Sequence, residues 1–318
     1  DGVITPAEDQ AFRDRGRTAK SRPGQRPTPR MPQTIKVTRD IDYAGTDNPR
    51  QTLDLYLPTK PNSDKPLPVI VWIHGGAWRA GDKAGGFGNL RRFVSSGDYA
   101  GISIGYRLTQ EASWPAQIHD CKAAIRWIRG SAKNYNLDPD RIGVWGSSAG
   151  GHLVAMLGTS GEVKSLEGEL GEHLDQSSGV TCVVDYFGPS ELLAMGDYPS
   201  HIDHNAPESP ESKLVGGTLQ ETKDVAKHAS PVTYVSKDDP PFLIVHGDKD
   251  MTVPYNQSVR LDKRLRETDV ATTLITIAGG GHGGFASEEL NRRVDAFFAE
   301  HLRGAESSVK GGTIQRGE

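Results

Sequence analysis

The sequence predicts an α/β fold: a mostly parallel, doubly wound sheet with helices on both faces. Two observations carry this expectation. From residue 34 to 302, short apolar runs and runs of helical period take turns along the chain, which is the pattern of strand–helix–strand units. Residues 68–73 (PVIVWI) are almost continuously apolar rather than alternating, as expected of a strand covered on both faces. A third observation bounds the class. The 318 residues are 35% hydrophobic and 25% charged, enough for a substantial buried core in one large domain.

The elements follow in order. Residues 1–33 stand apart as an N-terminal arm or linker. Positions 11–30 hold seven Lys/Arg against one acid, Asp14, with Pro23, Pro27, Pro29 and Pro32 close by, and no apolar period. Residues 1–8 (DGVITPAE) match the second half of a calcium loop: acid, Gly, any residue, Ile, then Glu at the last position. They read as an EF-hand remnant or as a chance match. In either case half of the ligands are missing, and tight calcium binding is not expected.

Strands are predicted at 34–43 and 51–57, joined by a turn around Gly45–Pro49, and then at 68–73 and 99–106. A helix is predicted over 116–135, with Ile118, Cys121, Ile125 and Ile128 on one face. Strand 141–145 leads into a helix from Gly150. Further strands fall at 180–187, 242–245 and 271–277, and helices at 254–266 and 288–302. Residues 160–178 and 194–228 are polar insertions, read as loops or cap-like excursions from a catalytic domain of residues 34–303. Residues 304–318 read as a flexible tail.

Net charge is −4, which points away from nucleic acid or anionic membrane as the main partner. No run approaches the ~18 apolar residues of a membrane span. Cys121 and Cys182 are expected as separate buried thiols, with a single bridge as the alternative.

Four motifs sit at the ends of predicted strands. Gly146-Ser147-Ser148-Ala149-Gly150 is a G-x-S-x-G between a strand and a helix, the context that lifts a serine out as a nucleophile. Ser148 is the candidate and Ser147 the spacer. His74-Gly75-Gly76-Ala77-Trp78 follows strand 68–73, and small residues there let backbone N–H groups turn toward an oxyanion. Gly76, Ala77 and Ala149 are the candidate donors. His246-Gly247-Asp248-Lys249-Asp250 ends strand 242–245 and offers two carboxylates by type, Asp248 and Asp250. Gly279-Gly280-Gly281-His282-Gly283-Gly284 puts a histidine on a glycine-rich loop after the last long strand. Taken one at a time, each motif also reads as an ordinary glycine turn. Among the other histidines, His246 reads as a structural strand-end residue. His74 and His152 are badly placed as bases. His173, His201, His204 and His228 fall in the insertions and read as solvated surface. His201 and His204 have i, i+3 spacing but no clear third metal ligand, and no metal or organic cofactor is expected.

In these residues the chain resembles the α/β-hydrolase superfamily. Within that superfamily it resembles the esterase/lipase group with an HGG oxyanion motif, and most of all the BD-FAE-type esterases (bifunctional feruloyl and acetyl-xylan esterases) and related carbohydrate acetyl esterases. HGGAW at 74–78, YRL at 106–108, DPDRIGVWGSSAGGHL at 138–153, ASPVTYVSKDDPPFLIVHGDKDMTVP at 229–254 and GGGHGGF at 279–285 carry the resemblance. It implies the α/β-hydrolase fold, with Ser148 as nucleophile, His282 as base and Asp250, rather than Asp248, as the orienting acid. The order Ser, acid, His is the superfamily's order. It implies a carboxylic ester hydrolase acting on a small-molecule or polysaccharide-linked ester, with acetyl or feruloyl esters of polysaccharide as the first expectation. A general short-chain carboxylesterase and an arylformamidase or other amidase are the alternatives, the latter because HGG-x-W is also seen in kynurenine formamidases. A non-catalytic binding module on the same scaffold is the remaining class. His74, Trp78 and Trp114 are candidate substrate contacts, with ordinary packing as the alternative for the two tryptophans. The 194–228 insertion is the candidate lining of the acyl or alcohol pocket. The missing initiator Met and the calcium-loop remnant give the expectation of a secreted or periplasmic protein.

Overall fold

The structure, a computed structural model, describes residues 32–161, 163–306 and 309–315. The chain divides into two units, Asp1–Gln33 and Thr34–Glu318, and every element named here belongs to the second. The N-terminal arm, except for residues 32 and 33, and the calcium-loop match at 1–8 lie outside the described residues.

Nine described strands form one sheet in the order β1-β2-β4-β3-β5-β6-β7-β8-β9. They are β1 (Ile35–Asp42), β2 (Thr52–Pro58), β3 (Leu67–Ile73), β4 (Ala100–Ile104), β5 (Leu137–Ser147), β6 (Cys182–Tyr186), β7 (Phe242–Gly247), β8 (Thr272–Ala278) and β9 (Gly312–Gln315). β2 runs antiparallel to β1 and β4, and every other pairing is parallel. The central strands carry no exposed face. All seven residues of β3 are buried, and so are all six of β7. That explains their unbroken apolar sequences, since parallel strands are roofed by helices on both sides.

The helices supply those roofs. They are α1 (Phe87–Ser95), α2 (Ala116–Tyr135), α3 (Ala149–Thr159), α4 (Pro210–Val215), α5 (Lys223–His228), α6 (Asn256–Glu267) and α7 (Glu288–Arg303). α2 buries Ile118, Cys121, Ile125 and Ile128 completely, the face expected from the i, i+3, i+4 spacing. It stops at Asn136, which adopts the left-handed conformation at φ 53° and donates its N–H to Ala132. α7 starts at Ser287, whose Oγ accepts from the N–H of Leu290, and ends at Gly304, a cap pair contributing about 1 kcal/mol at its N-terminal end. α3 is buried along its whole length. Its sequence AGGHLVAMLGT has no polar face to offer water, so it belongs under other structure from the start.

Three expectations are corrected. The tail expected to be flexible at 304–318 contains β9, paired in parallel with Ile275–Ala278 of β8, with Ile314 buried on the sheet. β8 would otherwise present an open edge, and a single isoleucine in a polar stretch is too short a pattern to announce the strand that covers it. The insertions are not solvated loops throughout. In 160–178, Leu166 is fully buried and Glu167 receives Lys122 Nζ at 2.6 Å and Arg126 Nη1 at 3.0 Å, two cations sunk in α2. In 194–228, Leu214, Leu219 and Ala226 join the core, and Met195 is fully buried. Three insertion histidines follow suit. His204 is 1% exposed, with Nδ1 lying 3.1 Å from Glu211 Oε2. His228 accepts the Trp114 indole N–H at 2.9 Å, and His173 is half-buried against Gly130. His201 is exposed, as expected. Cys121 and Cys182 are separate buried thiols.

Candidate active site

The site is assembled at the carboxyl ends of β3, β5, β7 and β8, where open parallel sheets leave their loops free. β5 passes into α3 through Ser148, which holds φ 56° and ψ −122°. A non-glycine residue in that region is strained, and the neighbours explain how it is tolerated. A Cβ on Gly146 would lie 2.3 Å from the carbonyl oxygen of Gly150, so the strand and the helix meet only because Gly146 has none. The Ser148 N–H is held by Tyr186 O at 2.8 Å, and its carbonyl accepts from His152 N at 2.9 Å. The strain therefore sits at a residue whose own N–H and carbonyl are both hydrogen-bonded.

The loop after β3 packs directly on this turn. A Cβ on Gly75 would stand 2.6 Å from Ser147 O and 3.3 Å from Ser148 Cβ. Gly76, Ala77 and Trp78 follow at φ 115°, 55° and 56°, and the turn is closed by the N–H groups of Arg79 and Ala80 donating to Gly76 O at 3.1 and 3.0 Å. His74 sets the Gly75–Gly76 peptide. Its Nδ1–H donates to Gly75 O at 2.8 Å, while its ring stacks on Tyr106 at 4.3 Å and 13°. A trans peptide points its N–H opposite to its C=O, so anchoring the Gly75 carbonyl on His74 turns the Gly76 N–H to the other side. Burial lowers the pKa of His74, in keeping with a neutral ring that donates from Nδ1.

The two aspartates of the β7 turn separate cleanly. Asp250 Oδ1 accepts the N–H groups of Thr252 and Val253 at 2.8 and 3.0 Å. Its Oδ2 lies 2.7 Å from His282 Nδ1 and 3.1 Å from His246 Nε2. Asp248 instead accepts Gly279 N at 2.7 Å and, with Lys249 N donating to Gly280 O at 2.8 Å, fastens the histidine loop to the acid turn. His282 Nε2 faces Ser148 Oγ at 3.0 Å. Because His282 donates from Nδ1 to the carboxylate, its Nε2 carries the lone pair that receives the serine proton. The Phe187 ring packs on the imidazole at 4.6 Å. Burial opposes ionisation of Asp250, but hydrogen bonds from His246 and His282 outweigh it and hold the carboxyl well below the ordinary range.

The structure thus brings Ser148, Asp250 and His282 together, with the loop of Gly76 and Ala77 joined to the serine turn through Gly75 and with Ala149 following the serine as the first residue of α3. The three candidate substrate contacts stand differently. His74, Trp78 and Trp114 are 5%, 2% and 5% exposed. Trp78 Nε1–H donates to His152 Nδ1 at 3.2 Å, and Trp114 to His228. These two indoles are packing groups behind the site, and His74 orients a peptide. His152, donating from Nε2 to Ala229 O at 2.7 Å, is pushed by burial to a pKa of about 4.

The sequence reading missed the reach of His246. It is fully buried, accepts the Ser258 hydroxyl at Nδ1 (2.7 Å), and turns Nε2–H toward Asp250 and the Val253 carbonyl (2.9 Å). The signal was its position, four residues before the acid. Asp185 was also missed. Buried on β6, it accepts Gly188 N at 2.9 Å, and burial pushes its pKa to about 7. Among the described residues, no group of three His, Cys, Asp or Glu is arranged to hold a metal ion, and no helix is long and apolar enough to cross a membrane.

An arrangement of this kind can deprotonate a serine as it attacks a carbonyl and can hold the resulting oxyanion. Comparison with known proteins points the same way. The family model described as BD-FAE matches residues 53–265. Esterase LipC of Mycobacterium tuberculosis is 33% identical over 74% of this chain, which spans 58% of LipC. A truncated carbohydrate esterase from gut microbiota superposes with a TM-score of 0.78 at 37% identity, covering 84% of this chain and 96% of its own. A bifunctional GH43-CE protein of Bacteroides eggerthii gives a TM-score of 0.77 at 35% identity, over 84% of this chain and 35% of its own.

Proposed function

We propose that this chain, which belongs to the BD-FAE family of α/β-hydrolase esterases, hydrolyses carboxylic esters through an acyl-enzyme on Ser148, with acetyl or feruloyl groups on polysaccharide as the natural esters. The observation that carries the chemistry is the unbroken line from Ser148 Oγ to His282 (3.0 Å) and from His282 to Asp250 (2.7 Å). His282 takes the serine proton as Oγ attacks the ester carbonyl, then returns it to the leaving alcohol. Asp250 holds the tautomer that leaves Nε2 unprotonated and stabilises the charged ring once it forms. The N–H groups of Gly76, Ala77 and Ala149 receive the oxyanion in both tetrahedral intermediates. Water then attacks the acyl-enzyme, with His282 again as base.

The polysaccharide assignment draws support from the carbohydrate esterase named above, at 37% identity. LipC, called simply an esterase at 33% identity, favours the second reading, a general short-chain carboxylesterase. The secreted or periplasmic setting belongs to the polysaccharide proposal. One steady-state panel separates the readings: p-nitrophenyl acetate, butyrate and octanoate, methyl ferulate, acetylated xylan and N-formylkynurenine, with Ser148→Ala as blank. Acetate release from xylan at a rate rivalling the activated acetate is the expected result. Turnover confined to activated short esters would leave the general carboxylesterase. Turnover confined to N-formylkynurenine would replace both with an amidase.

A further inference from the structure

Phe187, the residue after β6, holds φ 44°. A bulky side chain in the left-handed region is an outlier, kept only where the surroundings over-determine it. Here the chain is pinned on both sides. Phe187 N donates to Val245 O at 2.8 Å, and Gly188 N donates to Asp185 Oδ1 at 2.9 Å. A Cβ on Gly188 would stand 2.4 Å from the carbonyl carbon of Gly151, so this stretch is pressed against the first turn of α3 and has no room to relax. One residue earlier, Tyr186 O holds the Ser148 N–H at 2.8 Å. The backbone that fixes the nucleophile therefore also fixes Phe187.

The strain sets the direction of one ring. Phe187 is 6% exposed, and its ring centroid lies 4.6 Å from that of His282. Phe285 backs the ring edge-on at 5.5 Å and 86°, and the His246 ring lies 6.1 Å away. His282 needs such a wall. It stands between Gly281 and Gly283, neither of which has a side chain to steady it, and its own side chain is 26% exposed. Its bonds to Asp250 and Ser148 both end on ring nitrogens, whose donor and lone-pair directions lie in the plane of the ring. They align the imidazole along one line but resist its tilting about that line only weakly. A packed ring against it stops the tilt.

We propose that Phe187 is a positioning residue for the general base: its ring, aimed by a strained backbone, holds the His282 imidazole at the angle at which Nε2 receives the Ser148 proton. It acts through His282. The proposal rests on the ester-hydrolase reading and adds to it the element that steadies a base carried on a glycine loop.

The test compares Phe187→Ala, Phe187→Gly and Phe187→Leu with the parent, all as the full chain. On p-nitrophenyl acetate the Ala and Gly variants should lose kcat by a factor on the order of 10–100, with KM within about threefold of the parent's, and Leu should recover part of the loss. Thermal melts separate aim from stability. Glycine adopts a positive φ without strain, so Phe187→Gly should melt no lower than Phe187→Ala although it removes more, and the two should share one rate. Diethyl p-nitrophenyl phosphate, which phosphorylates the serine with loss of p-nitrophenolate and needs no deacylation step, should inactivate each variant more slowly in proportion to its kcat. In a His282→Ala background, Phe187→Ala should lower kcat no further. Parental kcat in Phe187→Ala, rates that follow the melting temperatures across the three variants, unchanged phosphorylation, or a full further loss in the His282→Ala background would overturn the proposal. So would a raised KM with kcat intact, which would make the ring a wall for substrate. Parental turnover by Ser148→Ala would remove the ester reading, while phosphorylation of Ser148 in the Phe187 variants would still decide whether the ring aims the base.

Discussion

Around Ser148 the backbone sets the geometry. In residues 194–228 the side chains do. The turn at Ser148 holds a strained φ of 56° because Gly146 leaves room for Gly150 and because the Ser148 N–H and carbonyl are both hydrogen-bonded. The excursion has only two short helices, α4 and α5. It is fixed by isolated anchors: Leu214, Leu219 and Ala226 pressed into the core, and His204 buried near Glu211. The first region places chemistry through residues with little or no side chain. The second places a surface, through residues whose neighbours are distant in sequence. Substitutions in the first should therefore change rate far more than stability, and substitutions in the second the reverse.

The largest expected effect tests the first half of that contrast. Ser148→Ala should lower kcat on p-nitrophenyl acetate by a factor on the order of 10⁴–10⁶, with a melting temperature equal to or above the parent's, since alanine keeps the turn and removes only Oγ. Residual turnover near the parent's in a clean preparation would end the acyl-enzyme mechanism. Leu219→Ala tests the other half. Its side chain is fully buried, so truncation should remove about 2–5 kcal/mol of stability in urea unfolding. It should leave kcat for p-nitrophenyl acetate within about threefold of the parent's, because nothing at the reacting centre rests on it. A hundredfold loss of kcat with unchanged stability would show that the excursion sets the chemistry after all.

The same contrast explains what the sequence revealed. The elbow, the HGG loop and the glycine-flanked His282 are legible because each imposes a backbone requirement that only small residues meet, and such requirements print directly into the sequence. The central strands are legible because burial on both faces leaves no polar position in β3. The tail strand β9 was not legible, since four residues with one isoleucine carry no period and its partner β8 lies far back in the chain. The burial of His204 and of Lys122, paired with the half-buried Glu167, was illegible for a related reason: a polar residue looks solvated until its partner is known. Choosing Asp250 over Asp248 needed the family resemblance. Both stand at a strand end, and only geometry shows one bonded to His282 and the other clasping Gly279.

Asp185 sharpens the comparison from beneath the elbow. A Cβ on Gly151 would stand 2.4 Å from its Oδ1, so this carboxyl braces the start of α3. Burial raises its pKa from the ordinary 3.8 to about 7. A carboxyl raised on folding binds its proton more tightly in the native state. Its contribution is therefore whole below the unfolded value and is lost as pH rises through about 7. Asp185→Asn should flatten the fall in melting temperature between about pH 4 and 7 and leave the variant more stable than the parent by up to about 4 kcal/mol above pH 7. A parallel displacement of the two curves would mean that Asp185 does not titrate in that window.

The smallest effect concerns the residue that joins the two kinds of construction. His246 is a buried side chain acting on a backbone-defined turn. Its Nε2–H reaches Asp250 Oδ2, its Nδ1 takes the Ser258 hydroxyl, and a hydrogen-bonded line runs from Ser148 through both imidazoles to α6. His246→Phe keeps the volume and removes one of the two imidazole donors on the acid. Asp250 is then held less firmly, and kcat should fall about tenfold, near 1.4 kcal/mol, with little change in KM. The pH dependence has a definite sign. A carboxyl depressed on folding contributes stability that is present above its unfolded value and is lost as pH falls through its native value. With one donor gone that native value rises toward the unfolded one, so the variant should start from a lower stability at neutral pH and lose less than the parent as pH falls below about 4, the gap between them narrowing in melts from pH 7 to 2. His246→Gln, which can again present an N–H to Asp250, should recover part of both effects. Equal loss in the Phe and Gln variants at every pH would reduce His246 to a packing group and return all control of the acid to the turn itself.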